Sequence, residues 1–211
     1  MLAVLALVSL ALIPVRITTI YGGLPAHPLL LHVPVVLIPV VTIGALAFAA
    51  QPRWISRYGV ALATLTVIAL AGTFLTVGAG FALRSALHIP TGAALIARHA
   101  HAARILRALM IAFTAGVLVT LLAHRVAAGR PTGNPVLDGG LARRSVLSAL
   151  RVVLAGLAIA CAYFVFHTGD LGAKAVWHRR LSNRAPFGRE APGFSPPGTL
   201  HAPITRNPGA P

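Results

Sequence analysis

Four long apolar stretches separated by short polar segments dominate the hydrophobic pattern of this chain. They lie at about residues 29–50, 60–83, 105–123 and 146–166. Each holds about 20 residues, the length at which an α-helix crosses the hydrocarbon core of a bilayer. Because the connections are short, consecutive helices should be antiparallel neighbours. The pattern therefore predicts an all-α fold, an integral membrane up-down bundle of four helices.

The two ends of the chain differ from this pattern. Residues 1–13 are apolar but too short to span a bilayer, which leaves three interpretations open: a cleaved segment, a segment lying along the membrane, or a misplaced start site. From Pro186 onward, seven of 26 residues are proline, a composition typical of disordered tails. We therefore predict a short apolar N-terminal segment over 1–20, a four-span membrane domain over 21–182, and a disordered Pro/Gly-rich tail over 183–211.

Composition and charge support a membrane protein. The chain is 57% hydrophobic with a mean hydropathy of +0.83, far outside the soluble range. Its net charge of +15 comes from 18 basic residues against three acidic ones. The basic residues lie between and beyond the apolar segments, which favours contact with anionic headgroups over nucleic acid. We predict a multi-pass protein of the bacterial inner membrane. The balance of Lys and Arg near the spans leans towards both termini in the cytoplasm.

Glycines give two further expectations. Gly72, Thr76 and Gly80 recur every four residues on one face of the second predicted span, and such a row of small residues allows a neighbouring helix to approach closely. Gly169 and Gly172 predict a turn that ends the fourth helix at the membrane surface. No internal repeat is evident from the sequence.

Histidines gather at one end of the predicted bundle. In an up-down bundle, the start of the first span, the connection between spans two and three, and the end of span four share one membrane face. That face holds His27, His32, His88, His99, His101, His167, His178 and Asp170, whereas His124 falls at the opposite end. The alternative is that these histidines are tolerated interfacial residues that do not converge.

Converging imidazoles with one carboxylate form a ligand set for b-type haem, zinc or copper. The motifs H-E-x-x-H, C-x-x-C and C-x-x-C-H do not occur, so zinc-protease, thioredoxin-like and covalent-haem functions have no support. Three carboxylates also provide no acid–base pair of the glycosidase kind. We identify no catalytic residues, and the sequence favours a protein without catalytic activity of its own while leaving an enzymatic role open.

Three motifs together resemble a known family. They are the run Leu24-Pro25-Ala26-His27-Pro28-Leu29-Leu30-Leu31-His32-Val33-Pro34, His99 early in the third helical segment, and Gly169-Asp170-Leu171-Gly172-Ala173-Lys174-Ala175-Val176-Trp177. Over about residues 21–177 the chain resembles the bacterial membrane proteins catalogued as domain of unknown function 2231. The resemblance implies a four-span bundle, has no established activity attached to it, and suggests a redox setting because some members are fused to a Rieske-type iron–sulfur domain. The family's closing motif usually reads Gly-His-x-Gly, and here Asp170 stands at the histidine's place.

Two functional hypotheses follow. The first is binding of haem b or a transition metal, whose identity the sequence leaves unknown, for electron transfer or sensing. His32 and His99 are its first-choice ligands, His27 and His167 are next, and Asp170 would orient a ligand ring. The second is a non-catalytic structural or accessory subunit that packs against other membrane or redox subunits through the Gly72/Thr76/Gly80 row.

Overall fold

The computed structural model describes residues 24–89 and 93–182, with side chains described as far as Trp177. The predictions for the N-terminal segment 1–20 and for the tail 183–211 lie outside these residues. Within them, six helices form the fold: α1 (Ala26–Leu30), α2 (His32–Ala50), α3 (Trp54–Ala86), α4 (Ala94–Ala127), α5 (Pro135–Leu141) and α6 (Arg144–Ser182). The prediction of an all-α four-helix membrane protein is confirmed, since α1 with α2, and α3, α4 and α6, are each long and apolar enough to cross a bilayer.

The first span begins as two helical segments separated at Leu31. The Leu31 amide still donates to the His27 carbonyl at 3.1 Å, and the Val35 amide donates to the Leu31 carbonyl at 3.2 Å. Pro34, which directly precedes Val35, has no amide hydrogen to donate to the Leu30 carbonyl. The segmentation therefore puts Pro34 in the first turn of α2, where a proline is tolerated. Pro39, by contrast, lies in the interior of α2.

The helices are longer than the apolar stretches that predicted them. The 34 residues of α4 rise about 50 Å, against a hydrocarbon core about 30 Å thick. Both ends of such a helix therefore reach beyond the core into the headgroup region. The turn predicted at Gly169 and Gly172 is wrong, because α6 continues through both glycines. The penalty that a glycine imposes on a helix interior, about 0.5–1 kcal/mol relative to alanine, is too small to stop a helix that packing supports.

The bundle interior is apolar and closely packed. α2 and α4 each pack against α3, and Thr42 Oγ1 on α2 donates to the Ala158 carbonyl on α6 at 3.1 Å. The largest fully buried side chains include Phe113, Ile38 and Leu70. In a bilayer, dispersion and interhelical hydrogen bonds such as that of Thr42 hold helices together, the latter contributing roughly 0.6–1.7 kcal/mol each.

The small-residue row of α3 is used within the chain. A Cβ added at Gly72 would collide with the Val33 side chain, and one added at Gly80 would lie 3.0 Å from the His27 ring. The expectation that this row admits a neighbouring helix is therefore met by α1 and α2. The accessory-subunit hypothesis loses the docking surface that it assumed, because the first span already covers that face.

Candidate functional site

His27 is held at the histidine-bearing end of the bundle by a backbone carbonyl of the neighbouring helix. Its half-buried ring lies on α1, with Nδ1 2.9 Å from the carbonyl oxygen of Thr76 on α3. A carbonyl oxygen only accepts hydrogen bonds, so Nδ1 carries the hydrogen and donates. In the neutral ring, Nε2 then keeps its lone pair and is the atom that can bind a proton or a metal.

His99 repeats this arrangement in the second half of the bundle. Its half-buried ring lies on α4, with Nδ1 2.9 Å from the carbonyl oxygen of Thr168 on α6. The same argument gives Nδ1 as the donor and leaves the lone pair on Nε2. Backbone carbonyls commonly fix the tautomer and orientation of ligand histidines in this way.

A glycine four residues after each threonine makes room for the ring. In an α-helix the carbonyl of one residue lies beside the amide of the residue four positions on. A Cβ added at Gly80 would lie 3.0 Å from His27 Nδ1, and one added at Gly172 would lie 3.1 Å from His99 Cε1. The absence of a side chain thus lets an imidazole reach the carbonyl. The sequence signal that we missed is the repeated Thr-x-x-x-Gly at residues 76–80 and 168–172, so the two halves do share a short repeated element.

The two histidines meet at the centre of this end of the bundle. Their ring centroids are 6.3 Å apart and their planes are nearly perpendicular, at 85°. Two imidazoles bound at about 2.0–2.1 Å to opposite sides of one metal would have centroids roughly 6 Å apart. The side-chain oxygens of Thr76 and Thr168 are buried and have no hydrogen-bond partner in the described part of the chain. Such buried polar atoms usually have a partner, often a water or an ion.

The remaining predicted site residues lie apart from this pair. His32 is exposed, with Nδ1 3.2 Å from the Leu29 carbonyl of its own segment. His167 stacks on Tyr163, with centroids 5.7 Å apart. Asp170 forms an exposed ion pair with Lys174 at 2.7 Å. The structure therefore brings together His27 and His99 from the predicted set, and places His32, His167 and Asp170 in other surroundings.

One arginine extends into the bundle on the same helix as His99. Arg107 is half-buried on α4, two turns beyond His99, with its guanidinium carbon 5.4 Å from the ring centroid of Phe74 on α3. A cation over an aromatic face gains about 0.5–2 kcal/mol, depending on how far it is desolvated, which favours the inward position.

His27 and His99 offer two side chains that could act as metal ligands. No group of three or more His, Cys, Asp or Glu side chains able to hold a metal occurs within residues 24–89 and 93–177. These residues alone therefore do not form a closed structural zinc site, which takes four protein ligands. A metal held by these two imidazoles alone would keep coordination positions open for water or another ligand.

Four long apolar helices define a multi-pass membrane protein. Its histidine pair lies at one end of the bundle, near the ends of the spans. The chain belongs to a family described as "Predicted membrane protein (DUF2231)", whose model matches residues 23–185. This match confirms the family that the sequence motifs indicated. Neither a search of curated proteins nor a search of solved structures gives a match.

Proposed function

We propose that His27 and His99 together bind one transition-metal ion at the membrane boundary, and that the protein acts there in electron transfer or sensing. The observation that carries this proposal is the separation of 6.3 Å between two rings that each donate Nδ1–H to a helix carbonyl. Both Nε2 atoms are left as ligands, and each ring is fixed in orientation before a metal arrives. Preorganised imidazoles of this kind suit copper, zinc, iron and nickel.

The proposal changes the ligand pair expected from the sequence. His27 replaces His32 as the partner of His99, because His32 contacts its own backbone at an exposed position. A single ion also fits the pair more directly than haem does. A haem macrocycle needs an open slot at its axial ligands, and the two best-defined grooves among the described residues are lined by neither His27 nor His99.

Open coordination positions connect this site to the two proposed activities. Copper or iron, held by two imidazoles, would supply a one-electron couple for electron transfer. The chain's own contribution is to hold both rings through the Thr76 and Thr168 carbonyls and to shield them on one side with the helix backbone at Gly80 and Gly172. For sensing, an exogenous ligand or the metal itself would be the signal.

Metal analysis of the purified protein tests this proposal. We expect about one metal ion per chain by mass spectrometry, and a loss of roughly tenfold or more in metal retention for His27→Ala and for His99→Ala, as is typical when a ligand or its support is removed. His124→Ala, at the opposite end of the bundle, is the matched control and should retain the metal. A protein that binds no stoichiometric metal and shows no Soret band overturns the proposal. A Soret band lost in both variants would assign the same two ligands to b-type haem.

A second proposed function is that of an accessory subunit, and the exposure of α6 favours it. In the most apolar stretch of Arg144–Trp177, only 22% is buried within the chain, against 56% in that of Trp54–Ala86. Val152, Ile159 and Phe166 are all more than half exposed, so lipid or another membrane subunit must cover them. Co-purification of a fixed partner that is lost on replacing Ile159 and Phe166 with serine, while His27→Ala and His99→Ala behave as wild type, would favour this function over metal binding.

A further inference from the structure

A groove lined by α4 and α6 lies at the histidine end of the bundle, and His99 is not among its lining residues. It has a volume of about 360 Å³, and its lining residues are Ala97, Arg98, His101, Ala102, Ile105, Phe164, His167 and Leu171. Arg98, His101 and His167 give one part of the groove three nitrogen-bearing side chains, while the alanine, isoleucine, leucine and phenylalanine side chains form an apolar wall. No carboxylate lines it, so an anion would meet no repulsion there.

The first two spans have apolar residues at the corresponding positions. Ala26 precedes His27 as Arg98 precedes His99, and Leu75 precedes Thr76 as His167 precedes Thr168. The residue four positions before the threonine is Gly72 in α3, where Val33 packs so closely that a Cβ would collide with it.

Phe164 occupies the equivalent position of α6. Ile105, which stands six residues after His99 as Val33 stands six after His27, lines the groove beside Phe164. Phe164 thus places a large side chain at the position where α3 has Gly72. His27 and His99 are held by the same kind of contact, but only the half with His99 has Arg98, His101 and His167 beside it. The groove and these polar residues are therefore not needed to position a histidine.

The position of the groove along α4 matches the headgroup layer. α4 runs over 34 residues and begins at Ala94, so a helix about 50 Å long centred on a 30 Å core reaches about 10 Å beyond it at each end. Arg98 is the fifth residue of α4 and is exposed, which puts its guanidinium at the level of lipid phosphates. Ile105, two turns further in, then lies inside the hydrocarbon core at the level of the acyl chains.

We propose that this groove is a specific binding site for an anionic phospholipid, with the phosphate at Arg98, His101 and His167 and the acyl chains along Ile105 and Phe164. Arginine is suited to the phosphate because its planar guanidinium forms paired charge-assisted hydrogen bonds. The two histidines add donors at the same end. This site is independent of the metal proposed for His27 and His99, since neither of those side chains lines the groove.

Lipid retention in nanodiscs tests this site. The purified protein is reconstituted in mixed phosphatidylglycerol and phosphatidylcholine, and bound lipid is measured by native mass spectrometry after release into detergent. We expect wild type to retain phosphatidylglycerol preferentially, and Arg98→Gln to reduce that retention by about tenfold, the effect of losing a hydrogen bond to a charged group. His167→Leu, which introduces the residue found at Leu75, should reduce it further in the double variant.

Arg53→Gln is the matched control, because Arg53 is an exposed arginine at the opposite end of the bundle. Its lipid retention should equal that of wild type. Equal retention in Arg98→Gln, His167→Leu and wild type, with all variants unfolding at the wild-type temperature, overturns the proposal. Complete displacement of the lipid by inorganic phosphate would also overturn it, because the groove would then recognise free phosphate and not the lipid.

Discussion

Each of the paired histidines depends on a glycine in the neighbouring helix. The contact of His99 Nδ1 with the Thr168 carbonyl passes over Gly172, where an added Cβ would lie 3.1 Å from the ring and 3.3 Å from Nδ1. Such a separation is tighter than most real Cβ contacts, so the ring would have to move by a few tenths of an ångström. The position of each imidazole therefore depends on the absence of a side chain at the glycine that faces it.

Gly172→Ala tests this dependence, with Gly169→Ala as its control in the same helix. Both changes favour the helix, since alanine is better than glycine in a helix interior by about 0.5–1 kcal/mol. Nothing lies within 4 Å of a Cβ at Gly169, so that variant should melt slightly higher and bind metal as wild type does. Gly172→Ala should lose about tenfold in metal retention because it displaces the His99 ring. Equal metal content in the two variants would show that Gly172 does not position His99.

The choice of ligand pair shows where sequence reasoning ends. Helix parity correctly placed His27 and His99 at the same end of the bundle, and the row at Gly80 indicated a close helix contact. Selecting His27 over His32 depended on how the chain divides at Leu31, which follows from Pro34 and from packing on α3. Gly172 was predicted to end a helix because glycine has a low helix propensity. Its role is to make room for the ring of His99 from another span, and helix propensity carries no information about that contact.

Helix packing at the level of elements depends on the contact between the first span and α3. Gly72 is buried against Val33, where an added Cβ would collide with the valine side chain. The helix axes can therefore approach more closely here than two larger residues would allow. The same pair of spans is also joined by the hydrogen bond from His27 to the Thr76 carbonyl.

Gly72→Ala should destabilise the bundle, because it overpacks this contact. We expect a loss of about 1–3 kcal/mol, the usual cost of inserting a methyl group into a close-packed interior, measured by thermal unfolding in detergent micelles. Gly156→Ala on α6 is the control, since nothing lies within 4 Å of a Cβ there. Combining Gly72→Ala with Val33→Ala should recover much of the loss. A single variant as stable as wild type would mean that the helices separate at little cost.

The short helix α5 shows a different kind of element, one held by local polar contacts. Asn134 Oδ1 accepts from the amides of Val136 and Leu137 at 3.1 and 3.2 Å, which caps the helix. Asp138 accepts from the Thr132 amide at 3.0 Å and from the Thr132 hydroxyl at 2.7 Å. These hydrogen bonds, the backbone one foremost, lower the pKa of Asp138 below its ordinary value of 3.8.

The loop before α5 should therefore respond to acid. Because the folded pKa of Asp138 is depressed, its contribution is fully present above the ordinary value and is lost as the pH falls through the lowered folded value. We expect the Thr132 amide resonance to stay constant from neutral pH to about pH 5 and to shift only below the ordinary range of aspartate. Asp138→Asn should show no such titration. A transition of the Thr132 amide near neutral pH would contradict this assignment.

The whole molecule combines four spans whose two ends differ in chemistry. Apolar stretch lengths were enough to predict the four helices, because the bilayer sets the length of every span. Their true ends were not predictable from hydropathy, since residues such as Arg98 and His99 are polar yet continue a helix through the headgroup layer. One end carries the histidine pair and the groove between α4 and α6, and the other carries α5 with its Asn134 and Asp138 contacts.

Insertion direction determines which side of the membrane the histidine end faces. By sequence position, nine Lys and Arg residues are assigned to that end, namely Arg16, Arg84, Arg98, Arg104, Arg107, Lys174, Arg179, Arg180 and Arg184, against seven assigned to the other end, namely Arg53, Arg57, Arg125, Arg130, Arg143, Arg144 and Arg151. Arg16 and Arg184 lie outside the described residues. The positive-inside rule places the richer side in the cytoplasm. We therefore expect the histidine pair to face the cytoplasm and the connection between α4 and α5 to face the opposite compartment.

Cysteine labelling in intact cells measures this orientation. The native Cys161 is fully buried, and Cys161→Ala gives a background without thiols. On that background, Arg130→Cys in the exposed α4–α5 connection should react with a membrane-impermeant maleimide, whereas Leu87→Cys, exposed at the histidine end, should react only after the cells are opened. Labelling of both positions in opened cells controls for accessibility. The reverse pattern in intact cells would put His27 and His99 outside the cytoplasm, and the metal proposed to bind them would then have to come from that side.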